Sequence, residues 1–180
     1  MAKNSKHKAQ TLASHRFGSA GVPNPALEPF SMLIGEWKTV GTHPLRPNRT
    51  LSGRASFKWI EGGAFLLWQA EIDEEGFPVG IAIFGSDDAT GEYFMLYFDE
   101  RKVSRKFDVA IGDHVVKWWR NAPNFSQRYT WTIVEDGNTI IGKGELSKDG
   151  TTWGKDLDLT YTRIRSRVRE RRTTKTTRAS

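Results

Sequence analysis

From Glu36 onward, apolar and polar residues alternate with a period of two, and turn signals interrupt the alternation every eight to twelve residues. Successive side chains of an extended strand point to opposite faces, so this pattern dictates strands with one face buried. Ten strands are expected, near residues 36–43, 53–61, 64–73, 78–85, 92–98, 103–109, 114–120, 125–134, 139–147 and 155–164. The breaks carry residues that tight turns need, among them Glu61-Gly62-Gly63, Gly112-Asp113, Asp136-Gly137-Asn138 and Asp149-Gly150. Nearly every connection is short enough for a hairpin, which makes the topology an antiparallel meander. A row of hairpins leaves two bare edges unless the sheet closes on itself. The expected fold class is therefore all-β, a ten-stranded antiparallel up-and-down barrel. A barrel of ten strands is wide enough that side chains leave a cavity.

The ends have a different composition. Residues 1–24 are polar and basic and are expected to be a disordered arm; residues 165–180 are expected to be a disordered arginine-rich tail; the barrel domain occupies 25–164. Between arm and first strand, PALEPFSMLIG places Leu27, Phe30, Leu33 and Ile34 at helical spacing, with Asn24 as N-cap and Pro25 at the first position, a short capping helix. The formal net charge of +6 belongs to the ends, because residues 19–162 hold 15 Lys and Arg against 20 Asp and Glu. The absence of cysteine excludes disulfides, thiolate catalysis and cysteine metal sites. No apolar run reaches membrane-spanning length, and the basic N-terminus has no apolar core of a secretory signal, so a cytoplasmic protein without a membrane partner is expected.

Gly35-Glu36-Trp37 opens the first strand and Thr160-Tyr161-Thr162-Arg163 closes the last. The pairing resembles the lipocalin and calycin pattern, which implies that Trp37 and Arg163 form a structural pair sealing one barrel end. The segment Gly35 to Gly41 is distantly similar to the Gly-x-Trp-x-Gly-x-Gly of nitrobindin-type barrels, with Thr39 in place of the middle glycine. Taken together, FKWIEGGAFLL, WWRNAPNFSQRYTWTI, DGNTIIGKGELSKDGTTW and DLDLTYTR resemble an uncharacterised bacterial lipocalin-like domain family of unknown function, from about Leu33 to Ile164. That resemblance implies a lipocalin-like barrel and no particular activity. A nitrobindin-type haem site needs a histidine late in the barrel. This chain has only His7, His15, His43 and His114, so haem, like any other cofactor, is not expected.

Alternation turns the barrel into a list of inward residues. With Trp37 and Arg163 inside, the first strand points Trp37, Thr39, Gly41 and His43 inward. The last points Leu157, Leu159, Tyr161 and Arg163 inward and leaves Asp156, Asp158, Thr160 and Thr162 to water. Gly142 and Gly144 fall on the inner face and suggest empty space. In WWRNAPNFSQRYTW, Trp118 and Arg120 share a face with Phe125, Gln127, Tyr129 and Trp131, opposite Trp119 and Arg128. A one-residue bulge would reverse such assignments downstream.

Candidate ligand-binding residues are thus Trp59, Tyr97, Arg105, Trp118, Arg120, Gln127, Tyr129, Trp131 and Tyr161. Buried tryptophan and tyrosine carry polar groups that want partners, which suits a lined cavity better than a dry aliphatic core. Arg105 and Arg120, if inward, need a carboxylate, carbonyl groups, water or an anionic ligand; the first reading is an internal ion pair at one barrel end, with Asp99 and Glu61 available, and the second an arginine facing a ligand carboxylate or phosphate. No Ser–His–Asp order, metal-ligand spacing or phosphate loop is present, so no catalytic or metal-binding residue is assigned. The leading expectation is a barrel that binds a small, largely apolar or aromatic ligand, with an arginine for an anionic end. An alternative is weak nucleic-acid or anionic-partner contact through the C-terminal tail. A third is an enzyme using Tyr97, Asp99 or His43 as acid or base. The strand around Tyr93–Phe98 is apolar on both faces and points to a homodimer.

Overall fold

Alternation in the sequence becomes one continuous hydrogen-bonded ladder. The computed structural model describes residues 24–165. Nine strands follow one another as an antiparallel meander: β1 (Gly35–Thr42), β2 (Leu51–Ile60), β3 (Phe65–Ile72), β4 (Gly80–Ser86), β5 (Tyr93–Asp99), β6 (Val103–Gly112), β7 (Val115–Arg120), β8 (Ser126–Ile133) and β9 (Thr139–Ser147). β11 (Asp158–Arg163) lies between β9 and β1 and closes the sheet into a ten-stranded antiparallel barrel. The two-residue β10 (Gly154–Lys155) extends the far end of β9. The basic arm and the arginine-rich tail proposed from sequence lie, but for Asn24 and Arg165, outside the described residues.

Each ladder of the meander keeps a single register from end to end, so parity is uniform around the wall. Trp37 stands opposite Ala55 and Arg163, Trp118 opposite Val109 and Tyr129, and Trp131 opposite Val116 and Gly142. One place departs from this. Lys155 pairs with Glu145 and Leu159 with Gly142, so three residues, 156–158, oppose two, 143 and 144. This is a one-residue bulge at Asp156, whose amide donates to Gly144 O at 2.9 Å. The expected strand 155–164 is divided there.

One end of the barrel is plugged by a 3-10 helix, Pro25–Leu33. Leu27, Phe30 and Leu33 recur at intervals of three, which is the period of a 3-10 turn, and Pro29 inside the segment works against an α-helix. Asn24 caps it by accepting from the Ala26 amide at 3.0 Å. All three apolar residues are fully buried, and Phe30 packs against Phe84 and Tyr93 with ring centroids 5.5 and 5.1 Å apart.

Arg163 fastens this plug. Its guanidinium lies 4.1 Å over the Trp37 ring and donates to Met32 O (2.8 Å), Gly137 O (3.0 Å) and Ile34 O. Trp37 Nε1 donates to Leu33 O at 2.9 Å. Gly35, at φ +135°, leaves room for the guanidinium; a Cβ there would sit 2.6 Å from Arg163 Nη1. Above the plug, Trp131 is the hub of the core. Phe57, Trp68, Phe84, Trp118, Tyr129 and Tyr161 surround it at centroid distances of 5.4–6.4 Å.

Candidate ligand-binding site

The helix and the Trp131 cluster fill one half of the barrel; the other half holds a cavity of about 430 Å³. It opens among the loops β1–β2, β3–β4 and β7–β8 and the β10–β11 bulge, at the end opposite the helix. Two layers build it. The deep wall is aromatic and apolar, with Trp68, Met95, Phe107, Trp118, Tyr129 and Tyr161. The rim is polar, with His43, Arg54, Glu71, Arg101, Arg105, Gln127 and Asp156, interrupted by Phe77 and Phe125.

Six of the nine candidates from sequence stand together in this lining: Tyr97, Arg105, Trp118, Gln127, Tyr129 and Tyr161. Trp131 is fully buried, in edge-to-face contact with Trp118, Tyr129 and Tyr161 of the lining. Trp59 is at the helix end, paired with Leu66, and takes no part in the lining. The inward row of β2 runs from Leu51 at the mouth to Trp59 at the plug, and alternation fixes the face of a side chain without fixing its height. Arg120 is half-buried on the mouth side and outside the lining.

The tyrosines hold their protons firmly. Burial, then a hydrogen bond to Asp99, pushes the Tyr97 phenol up to about 12, and burial pushes Tyr161 up to about 12. Tyr161 Oη accepts from Trp131 Nε1 at 3.2 Å. The Tyr129 ring stacks on Trp118, 5.0 Å away and 6° from parallel, and lies over Gly142 and Gly144. A Cβ on Gly144 would come within 2.9 Å of Tyr129 Cδ2, so the space the two glycines leave belongs to this ring and is no part of a void. Among the described residues four buried polar atoms make no hydrogen bond of good geometry: Thr39 Oγ1, Trp68 Nε1, Trp118 Nε1 and Tyr129 Oη, the last with the Tyr161 hydroxyl beside it. All four residues line the cavity.

Two acid-centred clusters stand at the rim. In the first, Asp99 accepts from Tyr97 Oη (3.0 Å) and from Arg101 Nη2 (2.7 Å) and Nε (3.3 Å). The Arg101 bonds hold its carboxyl below the usual range. Asp99 is thus tied to Arg101, and neither Arg105 nor Arg120 pairs with it; Glu61 is exposed in the turn at the helix end. In the second, Asp156 accepts from His43 Nε2 at 2.9 Å and Gln127 Nε2 at 2.7 Å. The Leu45 amide donates to His43 Nδ1 at 3.0 Å, which leaves Nε2 as the protonated nitrogen. Unbulged parity turns Asp156 to water. The extra residue rotates it into the mouth instead, where its side chain is only 12 % exposed.

Arg105 sits differently. It faces inward opposite Tyr97, and its guanidinium lies 4.0 Å over the Phe125 ring. Burial, then the charges of Arg120 and Arg101, lowers its pKa. Among the described residues no group of three histidine, cysteine or acidic side chains is placed to hold a metal, and no helix is long and apolar enough to cross a membrane.

Fold and site together define a closed β-barrel with an internal cavity open at one end. The chain matches no family model and no curated protein. It is similar in structure to Rv2717c from M. tuberculosis, whose crystal structure superposes with a TM-score of 0.59 at 14% sequence identity, covering 80% of this chain and 100% of that one. At that identity the likeness is one of fold.

Proposed function

We propose that the protein binds a small, largely apolar or aromatic molecule inside the barrel, in the cytoplasm. The observation that carries this reading is the half-filled lumen: an aromatic-walled cavity of about 430 Å³, plugged at one end and open at the other. That volume lies within the range of small-molecule sites, and mostly apolar walls with a few polar groups are their usual make-up. The acid–base alternative has less behind it. Tyr97 and Asp99 are bonded to each other and to Arg101, and both ring nitrogens of His43 are engaged. The test is calorimetric titration with a panel of bicyclic aromatics beside Ala70→Phe, which fills the lining. Binding to the natural chain that the variant loses, with its circular dichroism unchanged, supports the reading. No binding across the panel sinks it.

Self-association is a second proposal. On the outer face, Ile81 pairs with Phe98 and Ile83 with Leu96, and Ile81, Leu96 and Phe98 are each a little over one third exposed. A homodimer through this row would dissociate on Phe98→Glu, read as a halved mass by light scattering; a monomer at all concentrations in the natural chain would exclude it.

A further inference from the structure

We propose that the molecule bound in the barrel is a monocarboxylate, oriented with its apolar body inside and its carboxylate at the mouth against Arg105. This rests on the cavity reading and names the chemical class that the cavity takes.

Most other arginines at the barrel ends are engaged by carboxylates or carbonyls. Arg163 donates to three carbonyls, the exposed Arg101 grips Asp99, and Arg46 engages Glu74 with the carbonyls of Leu45 and Glu75, while Arg120, half-buried outside the lining, has no such partner among the described residues. Arg105 lines the cavity and, among the described residues, is given no carboxylate or carbonyl. A half-buried guanidinium without an acceptor is costly. Of the acids at the mouth, Asp99 is engaged by Arg101 and Tyr97 and Asp156 by His43 and Gln127, and Glu71 of the lining is exposed on β3 opposite Arg54. Arg120 and Arg101 add like charge, so an anion there offsets a repulsion as well as giving the guanidinium an acceptor.

Geometry narrows the anion. Stacking on Phe125 covers one face of the Arg105 plane and leaves its N–H edge free, a rigid fork matched to a carboxylate. A phosphate dianion asks for more donors than one fork, and the neighbouring hydroxyl, Tyr97 Oη, is committed to Asp99. Below Arg105 the lining turns to Phe107, Trp118 and Tyr129. A flat apolar body attached to one carboxylate meets both halves of the site.

The experiment uses the full chain and three matched probes, 2-naphthoate, 2-naphthamide and 2-naphthyl phosphate, titrated by calorimetry at low and moderate salt. The carboxylate is expected to bind about tenfold or more tightly than the amide, with the preference shrinking as salt rises. Arg105→Met keeps the apolar stem over Phe125 and should reduce the carboxylate to the level of the amide. Arg105→Lys, which keeps the charge without the fork, should retain part of the preference. Equal binding of carboxylate and amide to the natural chain overturns the inference and leaves the cavity reading standing, as does a preference that survives Arg105→Met. Tighter binding of the phosphate overturns it in favour of a phosphate site. Binding of none of the probes overturns the cavity reading and this inference together. Should Arg105→Met not fold, the comparison of probes on the natural chain and on Arg105→Lys decides alone.

Discussion

Arg163 joins the last strand to the carbonyls of a helix that precedes the first, and no other residue of the same length could do this. Its planar head spans Met32 O, Ile34 O and Gly137 O while stacking on Trp37. Arg163→Met would strand three carbonyls around a smaller charge-free tip. We expect a loss of about 3 kcal/mol, because bonds from a charged donor are worth roughly 1.5–3 kcal/mol each and do not add. The urea midpoint of unfolding measures it. Tyr129 presents the reverse case. Its buried hydroxyl has only the Tyr161 hydroxyl beside it, so Tyr129→Phe should leave stability within about 1 kcal/mol of the natural chain. In the same assay Gly144→Ala should lower it, since the new Cβ meets the Tyr129 ring. Sequence carried the facing of these residues and missed their relation. Two inward glycines read as a gap until the register set Tyr129 opposite Gly144. Cross-strand partners separated by a turn of uncertain length cannot be paired from alternation alone.

At the scale of elements, the mouth is held by loops tied to one another through side chains. Arg46 and Arg49 of the β1–β2 loop both reach Glu74 in the β3–β4 loop, at 3.3 and 2.9 Å. His43 joins the β1–β2 loop to the bulge through Asp156, and Gln127 joins β8 to the same carboxylate. Asp156→Ala would release His43 Nε2 and Gln127 together and loosen the turn in which the Leu45 amide donates to His43 Nδ1. Hydrogen exchange at the Leu45 amide should accelerate about tenfold or more, with the amides of β8 at Trp131 unchanged. Uniform acceleration across both would instead mean global destabilisation. The ten strands and their inner faces were legible because one face is apolar wherever a core must be covered. The bulge was not, because Asp156-Leu157-Asp158-Leu159 alternates without a break and hides the extra residue. The polar cluster at the mouth, assembled from positions 43, 127 and 156, was hidden with it.

For the molecule as a whole, the aromatic core sets an upper limit on pH. Burial raises the Tyr161 phenol to about 12, against 10 for an ordinary tyrosine. Between those values the folded state keeps a proton that the unfolded chain has lost. Stability is therefore complete below pH 10 and declines as pH rises toward 12, by about 3 kcal/mol for this fully buried group. Thermal midpoints measured from pH 8 to 12 should stay level and then fall. Tyrosinate absorbance from Tyr161 should appear only as the protein unfolds. A gradual titration near pH 10 with the fold intact, absent from Tyr161→Phe, would contradict the burial.

With the two-residue β10 set aside, every ladder of the barrel joins strands consecutive along the chain except at one seam, where β11 meets β1. Trp37 and Arg163 face each other across that seam. During synthesis on the ribosome the meander can zip up hairpin by hairpin, yet its first strand stays an open edge until the chain has emerged through Arg163. Closing a loop of that length is the slow, entropy-laden event of folding. The nascent barrel is consequently a sticky half-cylinder for most of its translation, and a chain stopped before β11 would keep both edges exposed and aggregate.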